Sequence, residues 1–123
     1  MAHFIDLTTF KDKRGNLTVI EKTIPFGIKR IFYIYGVDNS VRGGHRHKKT
    51  IQAAVCIQGS CHIANNDGNT KKEFILDDPG KCLILGPGDW HIMDNFSPDA
   101  ILMILASEYF DTNDYIFEPY DNN

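Results

Sequence analysis

The sequence predicts an all-β domain, a small sandwich or jelly-roll barrel, and three observations carry that expectation. Fifteen Ile, eight Phe, seven Thr, five Tyr and four Val far outnumber six Ala and seven Leu, a balance that favours pleated surfaces over helices. No amphipathic stretch of helical period runs beyond about two turns. Short apolar segments recur instead between turn signals, which suits strands joined by tight turns.

Eight strands are expected. Residues 17–20 follow the Gly15-Asn16 turn, and 29–35 form the next apolar segment. Residues 51–58 end at Gln58-Gly59, and 60–65 lead into Asn66-Asp67-Gly68-Asn69. That last stretch is the clearest hairpin, because Asp-Gly tolerates the positive φ such turns need. Residues 72–76 return from it and stop at Asp78-Pro79-Gly80. Residues 81–85 run to Gly86-Pro87-Gly88, 91–95 to Ser97-Pro98-Asp99, and 100–106 close the series. No repeat, low-complexity tract or linker interrupts them.

With 123 residues and 14.0 kDa, the chain is expected to form one domain over 1–123. A hydrophobic share of 42% excludes disorder over most of its length. The longest strongly apolar run, 100–106, is far short of the ~20 residues that span a bilayer. Met1-Ala2-His3-Phe4-Ile5-Asp6 carries no secretory pattern, so a cytoplasmic location is expected. A net charge of −3 and a pI near 5.9 argue against a nucleic-acid binder, yet leave room for a local basic pocket. Cys56, Cys61 and Cys82 have no finger-like spacing and lie in or beside apolar runs. They read as buried, reduced thiols.

Two segments carry polar residues that a strand pattern alone would not place. In Arg42-Gly43-Gly44-His45-Arg46-His47-Lys48-Lys49-Thr50-Ile51-Gln52, an extended backbone puts His45 and His47 on one face and Arg46 on the other. Gln52 lies five residues beyond His47, so it joins their face only if the chain turns near Lys48-Lys49. In Pro87-Gly88-Asp89-Trp90-His91-Ile92-Met93-Asp94-Asn95, a sharp Gly/Pro entry presents one histidine beside a tryptophan. Three imidazoles can serve as metal ligands, as proton carriers near neutral pH, or only as hydrogen-bonded barrel residues. His3 and His62 belong to neither segment and read as ordinary surface or barrel residues.

HxH followed by a polar residue and a Gly, then PGxxHxxxN, resembles the paired motifs of the cupin superfamily, double-stranded β-helix barrels of jelly-roll type. More specifically, the chain is similar to the WxcM-like cupins, the nucleotide-sugar 3,4-ketoisomerases that act on dTDP-4-keto-6-deoxyglucose. The likeness rests on blocks in order: Arg14-Gly15-Asn16-Leu17-Thr18-Val19-Ile20-Glu21, Ile24-Pro25-Phe26-Gly27-Ile28-Lys29-Arg30, the HxH segment, Trp90-His91, and the stretch from Leu105 to Ile116.

The resemblance implies a homodimer with strand exchange between subunits, the N-terminal strands up to Tyr35 being the natural unit. It implies no cofactor and no metal; Gln52 stands where metal-binding cupins carry Glu, and an amide is a poor ligand for a borderline transition metal. Moving a ketone from C4 to C3 needs a carbon-bound proton removed and one returned through an enediol. The resemblance carries the base to His45, with His47 tuning it and His91 on the opposite wall. Arg14, Arg30, Arg42 and Gln52 fall to the dTDP-linked keto sugar, Arg14 and Arg42 first for the diphosphate, while Lys48 and Lys49 read as solvated. Arg14-Gly15 resembles the branch with a galacto-configured product. Where many members carry Tyr this chain has Phe32, which has no proton to give, and Tyr33 falls on the other strand face. The acid is therefore left unassigned. Two alternatives stand beside this reading: a metal-dependent cupin enzyme, and a non-catalytic sugar-nucleotide-binding cupin.

Overall fold

The structure, a computed structural model, describes residues 2–122. Its strands are β1 (His3–Asp6), β2 (Thr8–Asp12), β3 (Gly15–Val19), β4 (Arg30–Ile34), β5 (Arg42–His47) and β6 (Gln52–Gln58). They continue as β7 (Cys61–Asn66), β8 (Lys71–Leu76), β9 (Lys81–Leu85), β10 (Trp90–Asp94), β11 (Ile101–Ala106) and β12 (Tyr115–Ile116), the last preceded by a 3-10 turn at Thr112–Asp114. Every strand expected from the sequence forms, with ends moved by at most two residues. Among the described residues no helix is long and apolar enough to cross a membrane.

All pairings are antiparallel. One five-stranded sheet runs β1-β9-β6-β11-β4 and the other β12-β5-β10-β7-β8, while among the described residues β2 and β3 pair only with each other. Between the two large sheets lies the main core. Ala54, Cys56, Leu83, Leu85, Leu102 and Ile104 face Ile63, Leu76 and Met93 across it. The outer face of the first sheet is also covered. Ala53, Val55, Ile84 and Leu105 pack there with Leu7, Ile20, Ile24 and Phe26. A sheet buried on both faces explains why β6, β9 and β11 read as continuous apolar runs rather than alternating ones.

The hairpin between β7 and β8 closes as its sequence requires. Asp67 accepts from the amides of Asn69 and Thr70 at 2.8 and 2.7 Å, and Gly68 takes φ 96°. The three cysteines are buried free thiols.

Candidate active site

β5 and β10 lie side by side in the second sheet, and the register sets His45 directly opposite His91. A bulge follows between His91 and Ile92, opposite Gly43 and Gly44, which take φ 87° and 80°. At Gly43 a Cβ would stand 2.9 Å from the His91 carbonyl oxygen, so the close approach of the two motif strands excludes any side chain there. The outcome is a cluster of three imidazoles. Ring centroids are 5.0 Å apart for His45 and His47, 5.1 Å for His45 and His91, and 6.5 Å for His47 and His91.

Each imidazole is held differently. His91 is buried, and its Nδ1–H donates to the Asp89 carbonyl at 3.0 Å. The loop that launches it is braced by Asp89, whose carboxylate accepts from Gly86 N and from Asn65, and by Gly88 N donating to the His47 carbonyl. His47 is buried too, and its Nδ1–H donates to Asp114 Oδ2 at 3.0 Å. Asp114 also accepts from Lys49 N at 2.8 Å and from the Thr50 hydroxyl. With Nδ1 the donor in both rings, Nε2 of His47 and of His91 is a buried lone pair without a partner among the described residues. His45, half-buried between them, completes the cluster.

The electrostatics keep these rings neutral. Burial pushes His45 down to about 4, and the neighbouring His91 and His47 push the same way against the Gly43 carbonyl. Burial lowers His91, with Asp89 opposing. Burial also lowers His47; Asp114 pulls it back up, and Arg30 pushes it down. For Asp114 burial favours the neutral acid, but hydrogen bonds from Thr50, the Lys49 amide and His47 outweigh it and hold the carboxyl below its usual range. A neutral imidazole can accept a proton, and a bound diphosphate would draw its affinity for that proton upward.

Gln52 reaches the interior by the turn the alternation demanded. Residues 48–49 bend, the Asp114 carboxylate pins Lys49 N and Thr50, and Gln52 then shares the inward face of β6 with Ala54 and Cys56. Its Oε1 is buried without a partner among the described residues. Arg30 lies at the same end, its guanidinium 4.5 Å from the Phe32 ring and 5.1 Å from Phe110. Arg42 and Arg14 are not brought to the histidines within one chain. Arg42 is exposed beside the 35–40 turn, in a recess of about 200 Å³ with Asp38 and Phe96. Arg14 stands at the β2–β3 tip, paired with Asp12 at 2.6 Å and 91% exposed at its side chain.

Three neighbours of the cluster were not singled out from the sequence. Asp114 and Tyr115 come from the segment after β11, and β12 pairs Tyr115 with His47. The Tyr115 ring lies 4.7 Å from His45 and 4.6 Å from His47, with Phe117 stacked behind it at 5.9 Å. The only signal for Asp114 and Tyr115 was their place in the last matching block, and Phe117, one residue beyond it, had none. Among the described residues no three His, Cys, Asp or Glu side chains are arranged to hold one metal ion.

The model of a family described as FdtA, WxcM-like, C-terminal matches residues 1–122. A curated relative from Aneurinibacillus thermoaerophilus, the TDP-4-oxo-6-deoxy-alpha-D-glucose-3,4-oxoisomerase, is 48% identical over 114 residues, which are 90% of this chain and 81% of that one. A histidine-to-asparagine variant of the 3,4-ketoisomerase QdtA from Thermoanaerobacterium thermosaccharolyticum, solved with TDP-4-keto-6-deoxyglucose, superposes with a TM-score of 0.92. It is 40% identical over 95% of this chain and 87% of its own. A 3,4-ketoisomerase from Helicobacter canadensis gives 0.91 at 40% identity, over 95% and 90% of the two chains.

Proposed function

The chain belongs to the FdtA, WxcM-like C-terminal family, and from that membership we propose that it isomerises dTDP-4-keto-6-deoxyglucose to a dTDP-3-keto-6-deoxyhexose without a metal. The observation that carries the reading is the converging cluster of neutral imidazoles. Nε2 of His47, Nε2 of His91 and Oε1 of Gln52 are buried acceptors without donors among the described residues, and sugar hydroxyls supply donors. His45, the half-buried ring between the other two, is the base that takes the C3 proton and returns one to C4. His47, wired to Asp114, fixes the site's hydrogen-bond polarity, and His91 lines the far wall. Arg30 meets the diphosphate at the mouth.

Two finer assignments complete the proposal. The first is a homodimer. The β2–β3 hairpin leaves Phe10 and Leu17 61% and 59% exposed, and β4 is an edge strand with Ile31 and Tyr33 turned outward. A second copy covers such surfaces. Exchange of the N-terminal strands would carry Arg14 to the partner's barrel. The second is a galacto-configured product, with the C4 proton returned to the face that leaves its hydroxyl axial.

Incubation of the purified protein with dTDP-4-keto-6-deoxyglucose, followed by proton NMR, tests the reading. A 3-keto product with a small H4–H5 coupling is expected, and turnover should survive dialysis against a chelator. An unchanged substrate spectrum rejects isomerase activity. Loss of turnover restored by a divalent cation would favour the metal-dependent alternative.

A further inference from the structure

Carbon acidity alone does not complete a 3,4-keto shift. The carbonyl oxygen at C4 must gain a proton and the hydroxyl at C3 must lose one, so a second group has to serve the oxygens. Phe32, packed at the main core beneath the Arg30 guanidinium, has no hydroxyl to offer. Arg30 itself polarises but does not release a proton. The Thr50 hydroxyl is engaged by Asp114, and the Ser107 hydroxyl accepts from Ile51 N.

The tyrosines narrow the choice. Tyr33 on β4 and Tyr35 just after it stack on each other 5.7 Å apart and are 61% and 68% exposed. Tyr109 lies beside the Lys29 ammonium, away from the imidazoles. Tyr120 donates its hydroxyl to the Gly88 carbonyl at 2.7 Å. Tyr115 differs. Its register with His47 puts both side chains on one face of the sheet, and its ring touches His45 and His47 alike. Among the described residues none takes up its hydroxyl in a hydrogen bond.

We infer that the Tyr115 hydroxyl is the catalytic acid of this site, donating to the sugar's ketone oxygen beside the histidine base. The inference rests on the ketoisomerase reading and assigns the group which that reading lacks. As His45 takes the C3 proton, the C3–H electron pair becomes the C3=C4 bond. The C4=O π pair moves to oxygen, which takes the phenolic proton and leaves an enediol and a phenolate. The phenolate then removes the proton from the C3 hydroxyl, the C3=O bond forms, and C4 takes a proton from the His45 imidazolium. Both side chains end as they began.

Tyr115→Phe keeps the ring stack and deletes only the proton. Turnover should fall about 10²-fold or more, while TDP affinity stays within roughly threefold and the melting temperature is unchanged. As a second variant, 3-fluorotyrosine at position 115 keeps the hydroxyl but makes it more acidic, so the alkaline limb of the kcat profile should move to lower pH. Wild-type turnover in Tyr115→Phe, or an alkaline limb that ignores fluorination, overturns the assignment and leaves the isomerase reading standing. Absence of turnover in the wild-type protein overturns both.

Discussion

The imidazole of His45 sits 5.0 Å from one neutral ring and 5.1 Å from another, with burial already holding it near a pKa of about 4. A group so placed is uncharged at neutral pH and free to take a proton when substrate adds negative charge nearby. Replacing it by Asn keeps a polar side chain but removes the proton acceptor. His45→Asn should lose turnover by ~10²–10⁴-fold with TDP affinity retained, and steady-state kinetics beside TDP titration will separate the two. Asp114 acts one step back. Its carboxylate sets His47 so that Nδ1 donates and Nε2 accepts, and it pins the turn that returns Gln52 to the interior. Asp114→Asn leaves buried donors competing for one oxygen. We expect a stability loss of ~3 kcal/mol by chemical denaturation, together with a fall in kcat. The histidines were legible in the sequence because HxH alternation puts two on one face. Asp114 was not, since its partner lies 67 residues away and only the β12–β5 pairing joins them.

At the level of strands, the meeting of β5 with β10 depends on Gly43. With a φ of 87° and only 2.9 Å between where a Cβ would stand and the His91 carbonyl oxygen, there is no room for a methyl group. Gly43→Ala should cost about 1–3 kcal/mol and lower turnover together, since the register that opposes His45 to His91 must shift. On the outward face of the second sheet, His62 links three strands by bonding Asp94 at 2.6 Å and Glu73 at 2.9 Å. Asp94 above all raises its proton affinity over the usual 6.5, with Glu73 adding to it and burial opposing. A raised folded value means that the stabilisation is complete below about 6.5 and fades as pH climbs through the folded value. His62→Gln should therefore cost up to about 1 kcal/mol near pH 6 and much less near pH 9, read from paired urea titrations. The sequence marked His62 as ordinary because neither acid is near it in the chain. The same sequence did show the β7–β8 turn, whose Asp67-Gly68 chemistry is local. It did not mark four strands: β1, β2 and β12 are short and bury little, and β5 is polar and glycine-rich, so neither period nor apolar content set them apart.

For the molecule as a whole, the exposed apolar side chains Phe10 and Leu17 on the hairpin, with Ile31 and Tyr33 on β4 and Tyr35 just after it, are the surfaces a second copy would bury. Light scattering at micromolar concentration should give twice the 14.0 kDa of one chain, and Phe10→Asp with Leu17→Asp should shift the mass toward one. A monomeric wild-type protein would sink the exchange and strand Arg14 away from any site. The barrel itself was readable, since its strands announce themselves by β-branched and aromatic content. The proposed subunit arrangement rests on likeness and on the exposed edges alone, because a single chain does not record which edge another copy will cover. One further consequence follows from β12. All of the two large sheets but the edge strand β12 is laid out by Ala106, whereas the His47 anchor and the Tyr115 ring arrive on a short stretch laid against β5 by two residues of pairing. Such an arrangement is modular in the evolutionary sense. Drift or grafting at 115–117 would retune proton chemistry while Ser107 and Asp114, which hold residues 49–51, are inherited with the packed scaffold, and chimeras exchanging those three residues between relatives should trade reactivity without trading the fold.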